Sequence, residues 1–476
     1  MSSAKKIAKN TGFLFIAEVV DKSLLFLFII ILTNYLGDTK FGIYSFAFAF
    51  VGIFSMLSNL EMNTFMVREI ARDKSKTNMF VNNIITLKFL LSLFVFTFVL
   101  LIISFLNRFS ALTIIIALVM VHEILTEILL TITAMFNAHE KMQYTLFAKI
   151  IEKIFSVSLS FFILYMGYEL KMLISILILS KLLTLGYCYL VSIRKFIKIM
   201  PSFNLKFCTY TVRTSLPFWF NLIFYRLYTR TDTIMLSMLK GFAVTGWYNA
   251  ASKLIEALSF FPNIIINSVF PVMSRYHQSS KILLKVLFEK TFYYLFVLGF
   301  PLTLSITLLA DRFILFIYND QFIKSAIILR VLAWSVLFIF INSSLGYLLN
   351  AINKQAYFTA SNGVCALVNV ILNLILIPKY SYLGAAIATV ITQILNFSLL
   401  YAFTAKSGYK LNLIKTTYKP VISGILMVFT ISYLKSLHLL IIVPVSILIY
   451  FFFLLLTKGI GREEWQIVKS FFPKKS

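Results

Sequence analysis

Two arginines, Arg226 and Arg230, lie four residues apart inside an apolar run long enough to cross a bilayer. At that spacing both project from one face of a helix. In the next apolar run Asn249, Lys253, Glu256, Asn263 and Asn267 fall on a single three-four-three-four stripe, with Phe260 filling the gap. An arginine at the centre of a lipid-facing helix costs about 2.5–3.5 kcal/mol on insertion scales. Two arginines and a lysine are therefore expected to face a wet interior. A wet cationic interior points to an anionic cargo. The competing reading is internal pairing. Lys253 and Glu256 at i,i+3 suit such a pair, and Glu18 or Asp21 could neutralise Lys22. Asp232 is roughly 160° round the helix from Arg230, so pairing within that run is poor.

A second polar cluster, His122, Glu123, Thr126 and Glu127, sits in the fourth apolar run. Two carboxylates at i,i+4 inside a membrane repel each other unless one is protonated or an ion binds. Glu123 and Glu127, with Asp232 as a third acid, are thus candidates for ion coupling. The competing reading places them near the outer surface or against Lys181. Lys88, Lys149, Lys153 and Arg213 are read as helix-end residues that snorkel to the interface. Asn362, Asn369 and Asn373 form a stripe expected to be helix-to-helix packing. Pro217, Pro262, Pro271 and Pro301 mark places where helices can kink or end.

No phosphate-binding loop, zinc spacing or nucleophile elbow is present. Cys188, Cys208 and Cys365 are scattered, so neither a disulfide framework nor a metal site is indicated. No catalytic residue, metal or cofactor is expected, and the chain is not expected to be an enzyme.

The elements that must position these residues are membrane helices. The chain has 476 residues, 60% of them hydrophobic and 13% charged, with 50 Phe and 24 Tyr. Its mean hydropathy is +0.90. Soluble domains of this size are far less apolar, so an all-α polytopic membrane protein is expected. The net charge of +26 could suit nucleic acid, but the Lys and Arg sit mostly between apolar runs. That distribution fits the positive-inside rule and not nucleic-acid binding. The first run follows Lys5, Lys6 and Lys9 but is too long for a signal peptide and carries Glu18, Asp21 and Lys22. It is expected to be an uncleaved span.

Apolar runs of about twenty residues number about fourteen. Loop charge tests that count. One alternate set of loops, with both termini, includes Arg68, Arg72, Lys141, Lys198, Lys281, Lys406 and the tail from Lys458 to Lys475. The other set holds Lys40, Arg108, Lys171, Lys240, Arg312, Lys324, Lys379 and Lys435. The ratio of basic residues is about three to one, which places both termini in the cytoplasm. The segment around Arg194–Tyr210, with Pro201, is expected to be a hinge between halves.

The halves repeat. Gly37-x4-Gly42-Ile-Tyr44 matches Gly241-x4-Gly246-Trp-Tyr248, and the offset, 241 − 37, is 204 residues. At that offset Lys22 falls on Arg226. Six spans separate the copies, so they are parallel repeats about an axis along the membrane normal. The division expected is a first lobe over 1–200, a second over 201–405, and a C-terminal helix pair with a basic tail over 406–476. Lys22, Arg226, Arg230, Lys253, Asn249 and Glu256 are the substrate-binding candidates.

The chain resembles the polysaccharide transporter family of the multidrug/oligosaccharidyl-lipid/polysaccharide exporter superfamily, the O-antigen-repeat flippases. The resemblance rests on Gly12, the Tyr35-Leu-Gly37…Phe41-Gly-Ile-Tyr44 turn, and Arg68-Glu-Ile-Ala-Arg72. It continues through Arg230-Thr-Asp232…Met235-Leu, Gly246-Trp-Tyr-Asn-Ala-Ala, and Phe270-Pro-Val-Met273. Asn369-x3-Asn373-Leu-Ile-Leu-Ile-Pro378 and Gly384-Ala-Ala…Ala388-Thr389 close it. These cover nearly the whole chain, and their order and spacing together carry the likeness. It implies two six-helix lobes forming a V around a central cavity, plus two C-terminal helices. In relatives that flip lipid II, the extra pair borders a groove for the lipid tail. The resemblance also implies flipping of a polyprenyl-diphosphate-linked oligosaccharide to the outer leaflet of the cytoplasmic membrane. The partners implied are that lipid-linked oligosaccharide, membrane lipid, and a polysaccharide polymerase and glycosyltransferases.

The alternatives are a lipid II flippase and a multidrug extruder of the same fold. The extruder usually has twelve spans and acidic cavity residues, whereas these candidates are mostly cationic. A membrane glycosyltransferase or polymerase should carry a large outer loop with paired charged residues, which is missing from this sequence.

Overall fold

The computed structural model describes residues 3–105, 110–434 and 436–459. Arg108, Lys435, Arg462, Lys469, Lys474 and Lys475, which entered the loop-charge comparison, lie outside the described residues. So do the side chains of Lys5, Lys6, Lys9 and Pro217.

The described residues form helices and turns, with no strand among them. In chain order the first seven helices are α1 (Ser3–Asn59), α2 (Met62–Arg72), α3 (Thr77–Phe105), α4 (Ser110–Ala138), α5 (Met142–Tyr165), α6 (Leu170–Lys195) and α7 (Leu205–Lys240). Then come α8 (Phe242–Leu258), α9 (Phe260–Ser279), α10 (Lys281–Ile317), α11 (Ser325–Ala351), α12 (Gln355–Lys406), α13 (Leu413–Tyr433) and α14 (Leu439–Leu456).

Nine segments among the described residues are long and apolar enough to cross a membrane. Two of them hold two crossings each, because α1 turns at Gly37 and α12 turns at Ser381. The other three expected spans fall on α5, α7 and α13. Polar residues dilute these, notably Lys149, Glu152 and Lys153 in α5 and Arg226, Arg230 and Asp232 in α7. Every one of the expected spans thus falls on a helix. The eighth is broken at Ser259 between α8 and α9, and short α2 lies between the second and third.

The two turns that carry the repeat have the same geometry. Gly37 sits at φ 69°, ψ 178° and Gly241 at φ 89°, ψ 174°. Positive φ favours glycine, which has no Cβ to clash. The glycines five residues on dock reciprocally. A Cβ on Gly42 would strike the Phe242 carbonyl, and one on Gly246 would strike the Asp38 carbonyl. The offset of 204 carries Asp38 onto Phe242 and Gly42 onto Gly246, so these are two copies of one contact.

By internal contacts the chain divides after Gly246 into two compact units. In the first, α7 packs against α1, α2 and α3. Met62, Phe65, Met66 and Ile70 of α2 form a core with Phe80 and Ile84 of α3 and Met135 and Phe136 of α4. The segment expected to be a hinge is bonded to α3 as a strap. The side chains of Asn82, Thr86 and Asn83 on α3 accept hydrogen bonds from the backbone N–H groups of Met200, Ser202 and Asn204 at 3.2, 3.1 and 2.7 Å. Three side chains in one register pin the strap to α3 and group α7 with the first six spans. The boundary by contacts therefore falls one helix later than residue 200.

In the second unit α11 packs between α10 and α12. Phe288, Phe292, Phe296, Leu345 and Leu400 are among the residues of that core. The C-terminal helices α13 and α14 pack on α10 through Met427, Ile431, Ile442 and Tyr450 against Val297 and Leu309.

Candidate functional site

Helical spacing places Arg226 and Arg230 on the face of α7 that meets α1. Both are half-buried. Among the described residues neither guanidinium makes a hydrogen bond or ion pair. Arg226 rests on Gly52 of α1, with its Nη1 3.3 Å from where a side chain on Gly52 would begin. A larger residue there would crowd the guanidinium. Arg230 acts electrostatically on Tyr44, one helix stretch away on α1. Asp232, only two positions on, is buried.

The lysines of the same unit are placed differently. On α5, Lys149 pairs with Glu18 at 2.9 Å, and Lys153 with Asp21 at 3.2 Å and with Glu152 at 3.9 Å. Lys181 of α6 pairs with Glu152 at 3.0 Å. Lys22 reaches Glu18 only at 3.8 Å. This lattice of α1, α5 and α6 holds four cations and three anions, so one positive charge is left over (4 − 3 = 1). Glu18 is already engaged by Lys149, and the Lys22 side chain is 49% exposed. Lys22 is the surplus cation. Lys149 and Lys153 were expected to snorkel to the interface. Carboxylates of α1 hold them instead.

Lys88 departs further from that expectation. Its ammonium lies 2.8 Å from Glu127, with side-chain exposures of 0% and 5%. The Asn59 amide donates to the other Glu127 oxygen at 2.8 Å. Charge and hydrogen bonds together satisfy the carboxylate, as a buried ion requires. The expected repulsion between Glu123 and Glu127 loses its premise, because Lys88 neutralises one of the two. Glu123 remains with His122, Nδ1 to Oε1 3.6 Å, in the electrostatic field of Arg226 and Lys181. Lys181 is thus near Glu123 while bonded to Glu152.

In the second unit Lys253 and Glu256 make the expected i,i+3 pair at 2.6 Å, with side chains 21% and 47% exposed. Asn249 is buried. The break at Ser259 interrupts the polar stripe, and Asn263 and Asn267 are exposed on α9. Asn369 and Asn373 are buried and bonded to each other at 2.9 Å. Asn369 also reaches Thr392 at 3.5 Å, as the packing reading anticipates.

The structure brings Lys22, Arg226, Arg230, Glu123, Glu127 and Asp232 into one unit, and Asn249, Lys253 and Glu256 into the other. Sequence reasoning missed Lys88, Lys149 and Lys153 as paired residues. The available signal was the number of acids inside the same apolar runs. No group of three or more His, Cys, Asp or Glu side chains that could hold a metal occurs among the described residues. Chemically, α7 offers two half-buried guanidiniums unpaired among the described residues, and α1 the surplus ammonium of Lys22, and hence sites for an anion.

A family model described as "Polysaccharide biosynthesis protein" matches residues 7–277, more than half of the chain. A second, described as "MatE", matches residues 217–375. An uncharacterized membrane protein, MJ1068 of Methanocaldococcus jannaschii, is 26% identical over 208 residues, but the match spans 43% of this chain and only 41% of that protein. The capsular polysaccharide biosynthesis protein CapF of Staphylococcus aureus is 23% identical, over 83% of this chain and 99% of its own length. The probable low-salt glycan biosynthesis flippase Agl15 of Haloferax volcanii is 22% identical, over 82% of each chain. Among solved structures, the lipid II flippase MurJ in an inward closed conformation aligns with TM-score 0.77 at 16% identity, covering 94% of this chain and 99% of that one.

Proposed function

As the chain belongs to the polysaccharide biosynthesis protein family, we propose that it is a flippase. It moves lipid-diphosphate-linked oligosaccharide repeat units across the cytoplasmic membrane for cell-surface polysaccharide synthesis. The observation that carries this is a pair of half-buried arginines in a membrane helix that have no bonded partner among the described residues. A diphosphate supplies the missing negative charge. Arginine can meet it through two parallel N–H···O bonds, while Lys22 acts as a point charge. The likeness to CapF and Agl15 supports the substrate class.

Movement follows alternating access, with the parallel repeats rocking. We retain 1–200, 201–405 and 406–476 as the functional divisions. Asn249, Lys253 and Glu256 serve as hydrogen-bonding contacts of the second unit to the cargo. Glu123, Glu127 and Asp232 are the acids from which any ion coupling is drawn, and Glu127 is the least available of them because Lys88 holds it. No covalent chemistry on the cargo is assigned to the chain. A polysaccharide polymerase and glycosyltransferases act on its product and supply its substrate. Both termini lie in the cytoplasm, which the loop charges support. Reporter fusions after Lys40, Lys171 and Lys379 should report outside, and those after Lys76 and Lys198 inside. Two inversions would overturn that topology.

Lipid II is the rival cargo, favoured by the MurJ-like fold and the helix pair α13–α14. Two complementation strains separate the readings. The chain should restore surface polysaccharide in a strain lacking its repeat-unit flippase and leave a lipid II flippase depletion lethal. The reverse pattern would overturn the proposal.

A further inference from the structure

Glu123 is the charged group of the first unit with the least explanation. Glu127, one turn on, is bound by Lys88 and Asn59. Glu123 has no hydrogen bond among the described residues. Its ion-pair contact is with His122, Nδ1 to Oε1 3.6 Å, which is long for a hydrogen bond. Yet its side chain is only 20% exposed. One long contact to a histidine and the fields of Arg226 and Lys181 are thin compensation for a largely buried carboxylate, so its position calls for a functional reason.

Its surroundings supply one. Glu123 lines a small pocket of about 10 Å³ with Val51 and Ser55 of α1, Ser92 of α3 and Met120 of its own helix. Val51 and Ser55 bracket Gly52, the residue on which the Arg226 guanidinium rests. Glu123 on α4 and Arg226 on α7 therefore meet the same turn of α1 without forming an ion pair. Lys181, the other cation whose field Glu123 feels, is bonded to Glu152. A fixed negative charge beside an arginine, but not bonded to it, leaves the N–H groups open to a ligand. It also repels any anion that occupies them.

We propose that Glu123 is the release charge of the anion site: it weakens the hold of Arg226 on a bound diphosphate so that the cargo can leave. This rests on the flippase reading, in which Arg226 grips the diphosphate. A transporter that bound its anion with bare arginines would hold it too long to turn over. A carboxylate nearby lowers affinity and speeds departure. Coulomb's law at an effective dielectric near 20, over a separation of roughly 8–25 Å, gives about a 3- to 30-fold effect on affinity for one charge.

The test uses purified full-length protein in detergent, with geranylgeranyl diphosphate as probe and geranylgeraniol as the uncharged control. Glu123→Gln should bind the diphosphate about 3- to 30-fold more tightly and the alcohol no differently. In proteoliposomes it should turn over more slowly, with a lower half-saturating concentration. Glu123→Asp, which keeps the charge, should resemble wild type. A purely structural role for Glu123 would weaken binding, and that result overturns the proposal. Arg226→Ala separates the two layers. If it weakens diphosphate binding while Glu123→Gln leaves affinity unchanged, the release charge is wrong and the grip stands. If Arg226→Ala leaves diphosphate binding unchanged, the flippase site itself is misplaced and the release charge falls with it.

Discussion

Lys88 and Arg226 are both cations in membrane helices of the same unit, and their surroundings are opposite. Lys88 is wholly buried and bonded to Glu127, which Asn59 also holds. Arg226 is half-buried, rests on a glycine and bonds to nothing among the described residues. The first arrangement is a fixed internal pair whose charges cancel. The second keeps charge available. The difference teaches that basic residues in this protein cannot be pooled into one cationic cavity. The lattice lysines of α5 and α6 belong with Lys88, and Lys22 stands between the two groups.

The comparison would break most visibly at Lys88. Lys88→Ala leaves Glu127 buried without its counter-ion, which costs about 3–5 kcal/mol. The folded level in the membrane should fall severely, as read by fluorescence size-exclusion chromatography. Replacing both partners by apolar residues, Lys88→Met with Glu127→Leu, should recover most of that loss, because no lone charge remains. Normal accumulation of Lys88→Ala would erase the distinction between paired and open cations.

Lys153 comes next. It touches two carboxylates, and its side chain is 15% exposed. Lys153→Ala should cost about 1.5–3 kcal/mol, the range for a hydrogen bond to a charged group. The melting temperature in detergent should drop while transport per folded molecule stays near normal. A selective loss of transport with full stability would move Lys153 to the side of Arg226.

The helices were legible in the sequence because a membrane span needs about twenty apolar residues and the loops concentrate charge. The turns at Gly37 and Gly241 were legible because positive φ is written as glycine. The arginine face was legible from spacing alone. The ion-pair partners on other helices were not. Glu18 and Lys149 are 131 residues apart, and Lys88 and Glu127 are 39 apart. Helical periodicity says which residues share a face, but not which face of another helix it meets. The strap was missed for the same reason, since Asn82 is 118 residues from Met200. Pro201 marked the segment, but nothing around it named the distant side chains that bond to its backbone.

Smaller effects sharpen the ranking. Lys149 and Glu18 are 32% and 44% exposed, and a pair so open contributes about 0–1 kcal/mol. Lys149→Ala should therefore shift the melting temperature by only a few degrees. Lys253 pairs with a half-exposed Glu256, so Lys253→Ala should cost less than about 1 kcal/mol. Any larger loss of transport than of stability at Lys253 would place it among the cargo contacts.

The most direct test is transport by an Arg226→Ala/Arg230→Ala double variant in proteoliposomes, measured as the rate at which a diphosphate-linked polyprenyl oligosaccharide crosses the bilayer per folded molecule. Among the described residues neither guanidinium is bonded to a carboxylate, so the variant should still accumulate, with at most a small fall in melting temperature from losing the field of Arg226 at Glu123. Losing charge-assisted bonds of about 1.5–3 kcal/mol should slow transport at least tenfold. A wild-type rate at wild-type abundance would contradict the anion grip. Collapse of the folded protein would contradict it too, because it would show that these arginines are structural partners and not open cations.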